Sequence, residues 1–221
     1  METIIFGLGH LSKLAAYVLA RDSAHRPVAF TVHDRYVEAV EMDGVPVLRF
    51  EDVERAYPPG RFALLAPLGW SRMGDLRAGV LQEGRAKGYR FIHYVSSRAI
   101  TPREFSVRDN CMIFDGAIVE AGVRLGENTI VRSGAFLGHE VQIGSHAFVA
   151  PRAVVGTRAT VGENCFLGLN CVVQNGIRIA PRCFITAGAV VTSDTEPGGI
   201  YRGSPARRSP VPPSRLKTVG E

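Results

Sequence analysis

The stretch Ala135-Phe136-Leu137-Gly138-His139-Glu140-Val141-Gln142-Ile143-Gly144-Ser145-His146-Ala147-Phe148-Val149 carries an aliphatic residue at Leu137, Ile143 and Val149, one position in six. The phase holds far beyond it, back through Val131, Leu125, Val119 and Ile113 to Val107, and on through Val155, Val161, Leu167, Val173, Ile179 and Ile185 to Val191. Neither the helical period of 3.6 nor the strand period of two produces such a pattern. Four places after each aliphatic residue the side chain is mostly small, as at Cys111, Ala117, Thr129, Ala135, Ala147 and Ala153, with Val123, Val141 and Ile177 as larger members. Glycine often follows the aliphatic residue, as at Gly126, Gly138, Gly144, Gly156, Gly162 and Gly168. A short fixed period means that each unit buries its apolar side only by stacking on its neighbours. Six residues suit a short strand and a corner, and three such units close a triangular coil of about 18 residues, stacked at roughly 4.8 Å. The pattern predicts a left-handed parallel β-helix, an exception to right-handed crossovers. An antiparallel sandwich would need a period of two.

The repeat occupies less than half of the 221 residues, leaving room for a second modest domain. No apolar run is long enough to span a bilayer, and Met1 to Gly9 lacks the basic flank and cleavage site of a signal peptide, so the expected location is cytoplasmic and no membrane partner is expected. The four cysteines, Cys111, Cys165, Cys171 and Cys183, all fall on the small-residue phase and read as compact buried side chains. No Cys-x-x-Cys pair occurs, and no metal is expected. The net charge of +5 gathers toward Arg202, Arg207, Arg208, Arg215 and Lys217 without an aromatic-rich basic face. No nucleic-acid motif accompanies it, so no nucleic-acid partner is expected, and an anionic small molecule such as one carrying phosphates fits the charge equally well.

Ahead of the repeat, Thr3 to Phe6 leads into Gly7-Leu8-Gly9-His10-Leu11-Ser12 and then Lys13 to Leu19 at helical spacing. Strand, glycine turn and helix open a nucleotide-binding α/β unit, with Ser12 replacing the third glycine of the usual fingerprint. Pro27 to Val32 reads as a second strand with His33-Asp34-Arg35 at its carboxyl end, where α/β sheets bind ligands; Asp34 could accept hydrogen bonds from a ribose or base, and His33 could stack on a ring. Further strands are predicted at Val45 to Phe50, Phe62 to Pro67 and Phe91 to Val95, and helices at Glu51 to Ala56 and Met73 to Lys87. The expected organisation is therefore α/β plus all-β. A small Rossmann-like domain spans 1–98, the β-helix 99–200, and a terminal segment and tail 201–221. The first domain is too small for a full dinucleotide site and better suits a mononucleotide or a sugar nucleotide.

Among outward residues of the repeat, His139 stands beside Glu140, a pairing in which the acid can orient the ring of a general base. His146 is the competing candidate and has no obvious partner in the sequence. Gly7-x-Gly9, His93-Tyr94-Val95-Ser96-Ser97, Ser133 to His139, Ala187-Gly188-Ala189-Val190-Val191 and Tyr201-Arg202-Gly203-Ser204-Pro205-Ala206 together resemble the bacterial sugar acetyltransferases of the sialic acid O-acetyltransferase type. That family includes N-acetyltransferases of nucleotide-linked amino sugars, GDP-perosamine N-acetyltransferase among them. The resemblance covers nearly the whole chain. It implies a homotrimer with acetyl-CoA in the groove between subunits and the sugar nucleotide on the N-terminal domain. It also implies a surface-polysaccharide destination such as a lipopolysaccharide O-antigen.

By that resemblance His139 matches the catalytic base and Glu140 the acidic or polar residue beside it. Gly7, Gly9, His10, His33, Asp34 and Arg35 fall where the family binds the nucleotide sugar. Ala187 and Gly188 match the stretch along the pantetheine arm. Gly203, Pro205 and Ala206 match the segment near the adenine, with Arg207 placed to meet a phosphate. Some relatives carry a second histidine at a position that is Phe148 here, so the resemblance favours a one-histidine mechanism. The implied reaction is direct attack of the sugar amine on the thioester, with backbone amides at a glycine corner receiving the oxyanion. Rival readings are a sugar O-acetyltransferase of the same fold and a non-catalytic nucleotide-sugar-binding module. A γ-type carbonic anhydrase would need three histidine ligands where this repeat offers His139 and His146.

Overall fold

The computed structural model describes residues 1–203. The first part of the chain forms a sheet of β1 (Glu2–Phe6), β2 (Arg26–Val32), β3 (Glu41–Met42), β4 (Val45–Arg49), β5 (Ala63–Leu65) and β6 (Arg90–Phe91), with helices α1 (His10–Asp22), α2 (Val53–Ala56) and α3 (Asp75–Ala86) between them. Its order is β3-β4-β2-β1-β5-β6, and every pairing is parallel except β3 with β4. The chain winds outward from β1 through β2 to β4, then returns to lay β5 on the other side of β1. The strand order thus reverses between β1 and β5, where sheets of this kind open a crevice at their carboxyl ends.

From Met112 onward, two-residue strands recur every six residues and pair in parallel with the strand 18 positions later: Met112 with Ile130, Ile130 with Phe148, Phe148 with Phe166. Three columns result, of seven, five and four strands. The hexad therefore folds as read, a stacked parallel coil whose repeat fits the left-handed β-helix. Ile113, Val131, Val149, Leu167 and Ile185 stack on its axis, all fully buried. The segment expected as one strand, Phe91 to Val95, divides instead: Arg90–Phe91 belongs to the α/β sheet, and Tyr94–Val95 (β7) pairs with Met112–Ile113 at the foot of the first column. Ile92 and His93 turn the chain from one unit to the other.

Two kinds of glycine serve the repeat. At the corners, every sixth residue from Asn110 to Gly188 lies at positive φ, and the position is filled by Gly, Asn, Arg, Glu or His. Glycines that follow the aliphatic residue have another duty: a Cβ at Gly138 would sit 2.8 Å from the amide nitrogen of Thr157, and one at Gly126 would sit 2.3 Å from that of Ser145. These glycines allow the backbone of the next coil to lie directly above. The four cysteines are free and buried, and burial pushes the Cys165 thiol to about 11 and that of Cys171 to about 12.

The α/β unit packs on the outer side of the seven-stranded column, where Phe148, Phe166 and Phe184 stack face to face with centroids 5.7 and 4.6 Å apart. Phe148 thus belongs to the seam between the two units. At the far end of the seam, Asp22 accepts from the Tyr94 hydroxyl (2.8 Å), the Ser97 amide (3.0 Å) and the Ser96 hydroxyl (3.2 Å). Hydrogen bonds from Ser97 first, then Tyr94, hold its carboxyl at about 2. A depressed carboxyl stabilises the fold above the unfolded pKa of about 3.9 and loses that contribution as pH falls through the folded value. Asp22→Asn is therefore expected to be less stable than wild type at neutral pH, with the difference closing between about pH 4 and about pH 2 in acid unfolding followed by circular dichroism. A constant difference over that window would contradict the clamp.

Candidate functional site

The crevice at the carboxyl ends of β1 and β5 is a pocket of about 350 Å³ lined by Phe6, Gly7, Leu8, Val32, His33, Tyr36, Glu38, Leu68 and Leu76. Gly7 is required there on two counts. Its φ is 111°, and a Cβ would meet the Ser12 hydroxyl at 2.6 Å and Leu68 Cδ2 at 2.9 Å. Ser12, standing where the fingerprint has glycine, is buried, and its hydroxyl lies 3.4 Å from the Phe6 carbonyl, which fixes the start of α1 against β1. Gly9 caps α1 with extended backbone, and both Gly9 and His10 are exposed.

His33 sits edge-on to Phe6 and Phe50, and its Nε2 lies 2.7 Å from Glu83 on α3. Its ring is therefore packed rather than free to stack on a base. Asp34 and Arg35 begin a short 3-10 turn beside the pocket and do not line it. The Asp34 carboxylate lies 3.7 Å from Arg49, and the Arg35 guanidinium rests 4.8 Å above the Tyr36 ring. Tyr36, Glu38 and Leu68, unmarked in the sequence, do line the pocket. Of these, Leu68 follows β5 and was findable from the strand-order reversal.

His139 and Glu140 form the exposed corner between the five-stranded and four-stranded columns. His139 Nε2 and Glu140 Oε1 are 3.6 Å apart, beyond hydrogen-bond length, and the side chains are 52% and 56% exposed. A second carboxylate reaches the corner from the coil below: Glu120 accepts the His139 amide at 2.7 Å. Its separation in sequence hid it. The positive φ of Glu140 is no mark of function, because Arg152, Arg158 and Arg182 share it at equivalent corners.

The corner amides expected to receive an oxyanion are occupied within the chain. Gly138 donates to Val155, Glu140 to Ala121 and Gly156 to Val173, all through main-chain carbonyls. His139 and Thr157 donate to side chains instead, those of Glu120 and Asn175.

His146, left without a partner by the sequence, has one. Its Nδ1 lies 2.8 Å from Asn128 Nδ2 in a corner column with Asn110 and Asn164. Burial first, then the charge of Arg77, lowers its pKa. Arg77 on α3 is wholly buried and threads this column: it donates to the carbonyls of Leu68 (2.8 Å), Gly69 (2.7 Å), Asn128 (3.1 Å), His146 (2.8 Å) and Ala147 (3.1 Å), and to Asn128 Oδ1 (3.0 Å). His146 is thereby a structural residue of the seam.

Ala187 and Gly188 lie at another corner, between the seven-stranded and five-stranded columns, three coils on from the start of the His139 coil. Gly203 is packed against them: a Cβ there would meet Gly188 C and O at 2.9 Å, and its amide donates to the Thr186 hydroxyl at 3.0 Å. Pro205, Ala206 and Arg207 lie outside the described residues. Among the described residues no cluster of three or more His, Cys, Asp or Glu could hold a metal ion, and no helix is long and apolar enough to cross a membrane.

Residues 158–193 match the family described as the hexapeptide repeat of succinyl-transferase. No curated protein sequence matches the chain. Among solved structures it is similar to a histidine variant of GDP-perosamine N-acetyltransferase from Caulobacter crescentus, in complex with CoA and GDP-perosamine. The TM-score is 0.84 at 22% identity, over 94% of this chain and 96% of that one. It is also similar to the acetyltransferase domain of PglB from Neisseria gonorrhoeae, with a TM-score of 0.81 at 19% identity over 93% and 98% of the two chains. WeeI from Acinetobacter baumannii gives a TM-score of 0.79 at 16% identity over 94% and 99%. From its α/β unit to the last coil of its β-helix, the chain has the fold of these proteins, which include sugar N-acetyltransferases.

Proposed function

We propose that the protein is an acetyl-CoA-dependent N-acetyltransferase acting on a nucleotide-linked amino sugar. The observation that carries the reading is the conjunction, in one chain, of an exposed imidazole at a coil corner flanked by Glu120 and Glu140 and a ligand-sized crevice at the strand-order reversal of the α/β sheet. Solved structures of the same fold hold CoA with GDP-perosamine, or acetyl coenzyme A, which supports the same pair of substrates here.

In this reading the 1–98 unit holds the nucleotide around Gly7, Gly9, His10 and His33, with Asp34 and Arg35 at the rim. The coil domain, 99–200, supplies the chemistry. The pantetheine arm runs along Ala187, Gly188 and Gly203 toward the terminal segment. The free amine of the sugar attacks the thioester carbonyl, its N–C bond forming as His139 Nε2 takes the amine proton. The tetrahedral intermediate then collapses, the C–S bond breaks, and the same proton passes to the departing thiolate. Glu140, 3.6 Å from Nε2, favours the imidazolium that forms. The His139 and Thr157 amides are the two corner donors that a thioester oxygen can take over, because side chains rather than the coil's own ladder occupy them. Fixing both substrates in line supplies much of the remaining acceleration.

The outward residues of the five-stranded column, Ile118, Phe136, Val154, Val172 and Val190, are all apolar, with Val190 60% exposed. Such a stripe supports burial against copies of the same chain, as a homotrimer, and the stripe joins the His139 corner to the Ala187 corner. A solution mass of one chain would remove that part of the proposal. An enzyme using acetyl-CoA in this way would work in the cytoplasm.

The test of the activity is thiol release from acetyl-CoA against a panel of GDP-, UDP- and dTDP-linked amino sugars. Release is expected with an amino sugar and not with its hydroxyl counterpart. Release with the hydroxyl sugar alone would make the protein an O-acetyltransferase.

A further inference from the structure

We infer that Glu38 reads the base of the bound nucleotide and selects guanine over uracil and thymine; this rests on the reading of the α/β crevice as a nucleotide pocket and makes a GDP-linked sugar its substrate class. Phe6, Val32, Leu68 and Leu76 give that crevice apolar walls, and Tyr36 adds an aromatic one. Two ionisable side chains other than Tyr36 line it, those of His33 and Glu38. His33 is already engaged, its Nε2 lying 2.7 Å from Glu83. The acids nearby are engaged as well: Asp34 lies 3.7 Å from Arg49, and Glu51 accepts the Asp34 amide at 3.0 Å. Among the described residues the Glu38 carboxylate meets neither a cation nor a hydrogen-bond donor.

The segment that carries Glu38 is anchored on both sides. Before it, the Val37 amide donates to the Asp34 carbonyl at 3.0 Å and closes the 3-10 turn. After it, the Val40 carbonyl accepts the Val47 amide at 2.9 Å, and β3 pairs with β4 immediately beyond. The carboxylate is therefore held at the crevice by backbone bonds that do not involve it.

Charge decides which part of the ligand it can meet. Helix α1 begins at His10, beside the Gly7 and Leu8 wall, and the first amides of a helix have no carbonyl in their own turn to bond, so that end suits phosphate. A carboxylate repels phosphate, which leaves the ribose or the base for Glu38. In sheets of this kind the acid that takes the ribose stands at the carboxyl end of the second strand, and here that acid is Asp34. The base falls to Glu38. Apolar and aromatic walls hold any base, because every base has a face to stack, so discrimination needs a polar group. A carboxylate has two acceptor oxygens and no donor. Guanine presents two donors side by side, N1–H and the N2 amine, and satisfies both oxygens at once. Uracil and thymine present a single N3–H between two carbonyls, so the second carboxylate oxygen would face another oxygen.

The test is calorimetric titration of wild-type protein and Glu38→Gln with GDP, inosine diphosphate and UDP. Inosine diphosphate keeps N1–H and lacks the N2 amine. Wild type is expected to bind GDP about tenfold or more tighter than either of the others. Glu38→Gln should weaken GDP by about tenfold and leave UDP unchanged or tighter, since an amide sets a donor beside its acceptor and so matches the N3–H and carbonyl of uracil. Equal affinity of wild type for the three diphosphates would overturn the assignment. So would an equal loss for all three in a Glu38→Gln protein with the wild-type circular dichroism spectrum, which would put Glu38 on the ribose. Binding of none of them would overturn the nucleotide pocket and the assignment together. These titrations need no turnover: a preference for GDP that Glu38→Gln abolishes, in a protein that releases thiol with no amino sugar, would count against the acetyltransferase reading alone.

Discussion

His139→Ala is expected to lower thiol release with the best amino sugar by about a hundredfold or more in kcat, with little change in KM for either substrate. Among the described residues the imidazole is the one nitrogen base at the corner, and removing it leaves the attacking amine only the less basic carboxylates Glu120 and Glu140. Activity does not vanish, because positioning and amide donors remain. The companion change Glu140→Gln should cost less than about tenfold. A contact of 3.6 Å between two half-exposed groups is weakened by solvent. Comparable losses in the two variants would mean that the carboxylate, not the imidazole, moves the proton. An unaffected His139→Ala would transfer the chemistry away from this corner altogether.

The second large effect concerns the seam. Arg77→Met keeps much of the volume of the side chain but takes the guanidinium from six oxygen acceptors, four of which, the carbonyls of Leu68, Gly69, Asn128 and His146, have no other donor among the described residues. Burial lowers the guanidinium pKa to about 10, and no carboxylate pairs with it; backbone dipoles from both units solvate its charge. An unsatisfied buried acceptor costs about 1–3 kcal/mol, so even with partial relaxation the variant should lose about 4 kcal/mol or more in urea unfolding. Since the acceptors belong to the α/β loop at Leu68–Gly69 and to the coil corners at Asn128 and His146, unfolding of the variant is also expected to show the α/β unit opening ahead of the coil. A loss below about 1 kcal/mol would show that the apolar seam around Phe148 and Phe166 holds the units together without the arginine.

Arg77 also marks where the sequence stopped being informative. The hexad was legible because each unit repeats the same demand: Leu137, Ile143 and Val149 must point inward whatever else the chain does. The opening strand-turn-helix was legible for a similar reason, since Gly7 answers a local backbone requirement. Arg77 answers a demand set by residues more than fifty positions away, and in sequence it is one arginine on an ordinary helix. Glu120 is hidden in the same way. It reaches His139 only because the coil has an 18-residue circumference, a geometry the repeat does predict, so neighbours one coil below a candidate residue are a usable signal.

The readings that shifted did so for physical reasons. His146 looked idle because its partners, Asn128 and Arg77, lie one coil and one domain away. Asp34 and Arg35 sit at the carboxyl end of β2 as expected, but the 3-10 turn that begins at Asp34 carries them beside the pocket, while Tyr36 and Glu38 turn in to line it. Phe91 to Val95 read as a single strand because both of its halves are apolar; one half faces the α/β core and the other starts the coil.

The central claim is that an acetyl group passes from a thioester to a sugar nitrogen. Its most direct test is mass spectrometry of the nucleotide sugar after incubation with acetyl-CoA and wild-type protein, followed by treatment of the product with mildly alkaline hydroxylamine. A sugar nucleotide heavier by one acetyl group and stable to hydroxylamine, as an amide is, is the expected product. A product that hydroxylamine returns to the starting mass would be an ester, and the acceptor a hydroxyl. A sugar nucleotide of unchanged mass that nevertheless binds would contradict the account and leave the protein a binding module.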